Sequence, residues 1–243
     1  MMKFMTLSNK NKLIALATCA VLISGCSDDD DDPMIVQEDA PAPVVMQTFD
    51  VTVTNLSANQ PLSPVFIATH GADQSLWMAG APASVAIEKL AEGGDSSDLT
   101  AISSLTHTVN GNGPIMPGMS ETLTLSINEA DVASISLATM LVNTNDAFAG
   151  VNNYDLTTMA VDDSSMMTLW VYDAGTEANS EAKGSMPGPA DGGEGYNSVR
   201  DDVDFIHVHP GVISMYDGLA DSVLTPSHRF DNPAISVKIT RAQ

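Results

Sequence analysis

From Phe49 onward the chain consists of short runs with the periodicity of strands, each closed by residues that turn the backbone. "FDVTVTNL" (49–56) alternates Phe49, Val51 and Val53 with polar neighbours, the two-residue period of a half-buried strand. "SPVFIATH" (63–70), "ETLTLSI" (121–127), "ASISLATMLV" (133–142), "MMTLWVYDAG" (166–175), "VDFIHVH" (203–209) and "AISVKIT" (234–240) read the same way. Turn-forming clusters such as "NGNGPIMPG" (110–118) and "GSMPGPADGGEG" (184–195) separate them. One helix is expected: Pro82 lies near its first turn, Val85, Ala86 and Leu90 share a face, and Gly93-Gly94 ends it. "SDLTAISSL" (97–105) suits either a short helix or a strand, and no internal repeat is present. Many short strands with little helix predict an all-β fold, an antiparallel β-sandwich with one or two short helices.

The region before Phe49 has a different texture. Lys10 and Lys12 precede the apolar run "LIALATCAVLI" (13–23), which is too short to be a transmembrane helix and reads as an export signal. Ile23-Ser24-Gly25-Cys26 fits the lipobox at which a bacterial lipoprotein is cut and its cysteine acylated. Residues 1–25 are therefore expected to be a lipoprotein signal peptide, and Cys26 the lipidation site. Five aspartates at 28–32 and then "PMIVQEDAPAPVV" predict an acidic, Pro-rich tether over 26–47. The remaining 48–243 is long enough for one sizeable core. Ser27, rather than Asp, follows Cys26, which in the enterobacterial scheme directs a lipoprotein to the outer membrane.

Charge narrows the partners. Setting aside Lys3, Lys10 and Lys12 in the signal leaves 6 of the 9 basic residues against 31 acidic ones. Such a surface repels nucleic acid and anionic lipid, so contact with the membrane is expected through the lipid anchor alone. Of the two cysteines, Cys19 lies within the signal and Cys26 is the anchor, so the exported domain is expected to hold no disulfide.

A chain this acidic nevertheless gathers oxygen donors in two places. After the apolar stretch Met140, Leu141, Val142 come Asn143, Asn145, Asp146, Asn152, Asn153 and Asp155, read as a loop at the exit of a strand buried on both faces. "VYDAGTEANSE" (171–181) is the second: Asp173 comes straight off a strand, Gly175 allows a sharp turn, and Glu177 follows four residues after Asp173. Asn and Asp also suit plain turns. Calcium, which takes six to eight oxygens including backbone carbonyls, suits loops of this composition. Neither loop has the twelve-residue pattern of an EF-hand.

"TMLVNTNDAFAGVNNYDL" (139–156) followed by "LWVYDAGTEANSE" (169–181) resembles the spondin N-terminal domain family, which pairs an Asp-aromatic-x-Gly-Val segment and an Asp-Leu pair with a Tyr-Asp-Ala-Gly-Thr-Asp loop. "LSPVFIATHGADQSLWMAGAPAS" (62–84) and "VHPGV…HRFDNPAISVKIT" extend the resemblance over roughly 49–240. It implies an antiparallel β-sandwich of about eight strands with Ca²⁺ bound at one end. It also implies a binding or adhesion role in the cell envelope, toward an unknown protein or glycan at the cell surface. On the motif positions the implied metal ligands are Asp146, Asp155, Asp173 and Glu177, the last replacing the family's second aspartate. Ala147 stands where an aromatic is common, and Asn152 where animal members carry aspartate.

His207 and His209, two apart on one strand, face the same side and offer an alternative reading as a periplasmic Cu²⁺ or Zn²⁺ binder, with Asp202 and Asp204 upstream. The plainer alternative is a pair of outward-facing strand residues. His70, His107 and His228 are expected to be structural, the methionines to fill core gaps, and Trp77 and Trp170 to anchor the core. No Gly-x-Ser-x-Gly elbow, His-Glu-x-x-His, phosphate-cradling loop or cysteine nucleophile is present, and the chain is read as a non-enzyme.

Overall fold

The computed structural model describes residues 43–243; the signal, Cys26 and the aspartates at 28–32 lie outside the described residues. Alternation in the first run yields strand β1 (Met46–Asn55), whose odd positions Phe49, Val51 and Val53 are buried. Residues 46 and 47, assigned above to the tether, are thus the start of the first strand. β1 lies between β4 (Ser120–Asn128) and β10 (Ile235–Arg241), and β10 pairs with β7 (Ser164–Leu169). All three pairings of this four-stranded sheet are antiparallel.

The second sheet has six strands in the order β3-β2-β5-β6-β8-β9, again antiparallel throughout. These are β2 (Phe66–His70), β3 (His107–Asn110), β5 (Ser134–Met140), β6 (Ala147–Asp155), β8 (Val171–Asp173) and β9 (His207–Val208). Ten strands therefore form the sandwich among the described residues, against about eight expected. Strands β3 and β9 are edge strands of four and two residues, too short to carry a period of their own.

The six-stranded sheet is covered on both faces, which is why every residue of β2 and β5 is buried. On one side Ile67, Ile135 and Leu137 meet Val51, Leu125 and Val237 of the other sheet. On the other, Phe66, Ala138 and Phe148 meet helix α1 (Val85–Gly93) and the short helix α2 (Ser97–Thr100), through Ile87, Leu90, Ala91 and Leu99. Ser84 caps α1 by accepting from the Ile87 N–H at 3.3 Å, and Gly94 closes it in the left-handed conformation. Val85, expected on the buried face, is exposed; the inward stripe runs instead through Ile87, Glu88, Leu90, Ala91 and Glu92.

One predicted strand proves to be two. Residues 166–169 belong to the four-stranded sheet and 171–173 to the six-stranded one, so the chain changes sheet at Trp170. That corner leaves Trp170 56% exposed, and it is not the core anchor expected. Trp77 is buried, edge-on to Phe148 at 5.3 Å between centroids. His70 is structural as expected, its ring 2.7 Å from Ser136 Oγ and 2.9 Å from the Gly71 carbonyl.

Trp77 also explains a glycine. A Cβ on Gly150 would sit 2.1 Å from the Leu137 carbonyl oxygen and 2.9 Å from the Trp77 ring. Gly150→Ala is expected to cost about 1–3 kcal/mol, the usual range for overpacking a filled core, read as a lower denaturation midpoint at unchanged slope. An unchanged midpoint would show that the sheet yields at this point.

Candidate metal centre

The β5–β6 connection and the loop after β8 meet at one end of the six-stranded sheet. In the first, the Thr144 hydroxyl donates to the Leu141 carbonyl at 2.6 Å and accepts from the Ala147 N–H at 3.1 Å, which tightens the turn. Asn143 and Asn145 are buried and spent on neighbouring backbone: Asn143 Oδ1 accepts from Ala190 N–H, and Asn145 Nδ2 donates to the Ser185 carbonyl. They fasten loops together. Pairing of β6 with β8 then sets Ala147 opposite Asp173, which brings Asp146 beside Asp173.

Both aspartates are fully buried. Asp146 Oδ2 accepts from the Thr176 N–H (2.8 Å), the Thr176 hydroxyl (3.2 Å) and the Glu177 N–H (3.1 Å), whereas Oδ1 has no partner. Asp173 Oδ1 accepts from Gly175 N–H at 2.8 Å and Oδ2 from Asn179 Nδ2 at 2.6 Å. Gly175 has φ +71°, and a Cβ there would lie 2.3 Å from the Phe205 carbonyl oxygen, so only glycine makes this turn. Glu177, half-buried, has its Oε2 buried without a partner. Glu92 of α1 faces the same cluster: Oε2 accepts from Asn197 N–H at 2.8 Å, and Oε1 is buried without a partner.

Lone buried carboxylate oxygens are expensive, and three of the four among the described residues gather here, the other being Glu121 Oε2. The buried carboxylate of Glu181, for comparison, accepts from Ile213 N–H, Ser214 N–H and the Ser222 hydroxyl. Electrostatics shows the same shortfall at the cluster. Burial, then the neighbouring Asp173, pushes Asp146 up to about 7. Burial, then Glu92, Asp146, Asp201 and Glu194, pushes Glu177 up to about 8. Burial raises Glu92 as well. Arg200 is committed elsewhere, holding Glu88 with two donors at 3.2 and 2.6 Å and also Asp204. The donor set is oxygen-only and short of positive charge, so these residues fit a hard divalent cation.

The structure separates the sequence-derived ligands. Asp146, Asp173 and Glu177 come together; Asp155 does not. Residues 147–155, read as part of a loop, are strand β6, and its length carries Asp155 about 25 Å away at roughly 3.3 Å per residue. There Asp155 is exposed, and its carboxylate accepts from the Thr157 hydroxyl and N–H, which lower its pKa. Asn152 and Asn153 brace the loop before Trp77, donating to the Trp77 and Ala72 carbonyls. Glu92 was missed because, in sequence, it is one more charge on an amphipathic helix.

The two histidines also separate. Both face Asp173, as their spacing requires, with Nε2 atoms 3.5 Å (His207) and 3.8 Å (His209) from its oxygens. His209 is buried, and both its nitrogens are engaged: Nε2 donates to Asn179 Oδ1 at 3.0 Å, and Nδ1 accepts from Gly211 N–H at 2.9 Å. Burial holds it neutral, its pKa lowered to about 4. A chelate using both rings is therefore not what this geometry builds, and neither are two outward-facing residues.

No curated protein matches the chain. The family model Spondin_N matches residues 54–186, more than half of the chain, and spans both loops of the cluster. With this match over a two-sheet antiparallel sandwich, the chain belongs to the spondin N-terminal domain family.

Proposed function

We propose that this chain is a lipid-anchored, cell-envelope binding module whose loop-bearing end is organised by one Ca²⁺ held among Asp146, Asp173 and Glu177, with Glu92 beside them. Membership of the spondin N-terminal domain family supports reading the chain as an extracellular binding or adhesion-type module. The observation that carries the calcium reading is the set of unpartnered buried oxygens on Asp146, Glu177 and Glu92. A bound calcium supplies positive charge and coordination for oxygens that no protein donor reaches. The residues themselves do part of the joining: Asp146 fixes the turn before β6 to the backbone at Thr176 and Glu177, and Glu92 holds helix α1 to the backbone at Asn197. Magnesium is a poor substitute, because it prefers a tight octahedron and retains its waters. Calcium analysis of protein purified from the envelope and dialysed without chelator tests the reading. About one calcium per chain is expected; a metal-free protein that does not take calcium up would overturn it.

The anchor rests on the lipobox ending at Cys26, and the outer-membrane address on Ser27 directly after it. Its partner is a protein or glycan at the cell surface that tolerates a strongly negative domain. Cys26→Ser is expected to abolish labelling by palmitate and release the chain from the membrane fraction. A variant that still labels would remove the anchor from the account.

A further inference from the structure

His207 stands in a setting that the calcium cluster does not explain. Its Nδ1 lies 3.1 Å from the Val208 carbonyl oxygen, which can only accept, so Nδ1 carries the proton. The neutral ring therefore turns the lone pair of Nε2 outward. That atom lies 3.5 Å from Asp173 Oδ1 and 3.9 Å from Asp202 Oδ2. One donor atom from each of the three residues lies within 4.8 Å of the others. None of the three atoms offers a proton to another, so like-signed lone pairs converge on one point.

Two cations relieve this: a proton on Nε2, or a metal ion between the three atoms. The separations discriminate. A charge-assisted N–H···O bond is about 2.7–2.9 Å long, and both contacts are well beyond it. In a tetrahedral site with bonds of about 2.0–2.2 Å, neighbouring ligand atoms stand about 3.4 Å apart; the His207–Asp173 separation of 3.5 Å meets this, and Asp202 at 3.9 Å has to draw in on the ion. The backbone acceptor on Nδ1 is the arrangement that fixes the tautomer of a metal-ligating histidine. With side-chain exposures of 29% for His207 and 22% for Asp202, solvent can fill a fourth position.

We infer that His207, Asp202 and Asp173 form a second cation site, of mixed nitrogen and oxygen donors, that takes a borderline divalent ion such as Zn²⁺ beside the calcium cluster. An imidazole nitrogen is a poor ligand for calcium and a good one for zinc, so the two sites differ in chemistry although Asp173 stands between them. His209 is not a ligand; through Asn179 it positions the other oxygen of Asp173.

The site is tested on the full chain carrying Cys19→Ser and Cys26→Ser, so that no thiol competes. Zn²⁺ is titrated calorimetrically into metal-free protein in saturating Ca²⁺. About one zinc per chain is expected to bind. His207→Ala, at a half-exposed edge strand, is expected to weaken it by at least the roughly tenfold to hundredfold that loss of even an outer partner costs. The calcium-induced rise in melting temperature should survive in that variant. Glu177→Gln is expected to do the reverse, keeping zinc and losing the calcium response, so failure of one site is distinguishable from failure of the other. No zinc binding, or equal zinc affinity in wild type and both His207→Ala and Asp202→Asn, would overturn the inference.

Discussion

Saturating calcium is expected to raise the melting temperature of the metal-free chain by about 5–10 °C at pH 8. An ion that binds only the folded state stabilises it by RT ln(1 + [Ca²⁺]/Kd), about 2.7 kcal/mol at a hundredfold excess over Kd. For a domain of this size each kcal/mol moves the midpoint by about 2–4 °C. Asp146→Asn should change the baseline as well as the response. Its amide oxygen can keep the acceptor role toward Thr176 and Glu177, while its NH₂ points where Oδ1 lacks a partner among carboxylates. The variant is therefore expected to melt above the wild type without calcium and to gain little from it. Scanning calorimetry with chelator and with calcium in the millimolar range reads both quantities. A variant that melts lower and responds fully would mean that Asp146 is a structural acceptor only.

The second large effect is on pH dependence. A carboxyl group whose folded pKa is raised holds its proton more tightly when folded, so stability falls as pH rises toward and through that folded pKa. With Asp146 at about 7 and Glu177 at about 8, the calcium-free protein should gain stability as pH drops from 8.5 to 6.5. The gain is on the order of 2 kcal/mol, since the unfolded carboxyls stay ionised throughout that range. His209 works in the opposite sense. Its folded pKa is lowered, to about 4, so stability is lost as pH falls from its unfolded value near 6.5 toward 4. Below pH 6.5 the His209 loss therefore offsets about half of the two carboxyls' further gain, and the rise in stability on acidification should become shallower there. With saturating calcium the gain between 8.5 and 6.5 should vanish, because the ion keeps the carboxylates charged and protons compete with it. Equilibrium denaturation across this range, with and without calcium, checks both arms. A flat calcium-free profile would mean that the clustered carboxylates are solvated well enough to need no cation.

Much of this site was legible in the sequence, and the rest was hidden for physical reasons. The alternation of Phe49, Val51 and Val53 announced a half-buried strand because period two has no other common cause. Asp146 and Asp173 were recognisable because each lies in an oxygen-rich cluster that follows an apolar strand, and the β6–β8 register then sets them side by side. Strand β6 was not. It carries Gly150 where the Leu137 carbonyl and Trp77 leave no room for a Cβ, and Asn153 at φ +59°, so a paired strand has the composition of a turn. Asp155 was drawn into the site by its place on the family's Asp-Leu pair, and reading the segment as loop left that open: nine residues of loop can fold back, whereas nine residues of strand cannot. Glu92 came from a helix 54 positions before Asp146, and only packing of α1 against β5 and β6 reveals it. Trp170 was misjudged because exposure at a corner between sheets is a property of the crossing, not of the residue.

The central claim, that one calcium ion is held where the two loops meet, is tested most directly by calorimetric titration of Ca²⁺ into metal-free protein at pH 8. The wild type is expected to bind about one ion per chain, with affinity falling at least about tenfold in Asp146→Asn and in Glu177→Gln and unchanged in Asp155→Asn. Absence of binding, or equal affinity in all four proteins, would contradict the account.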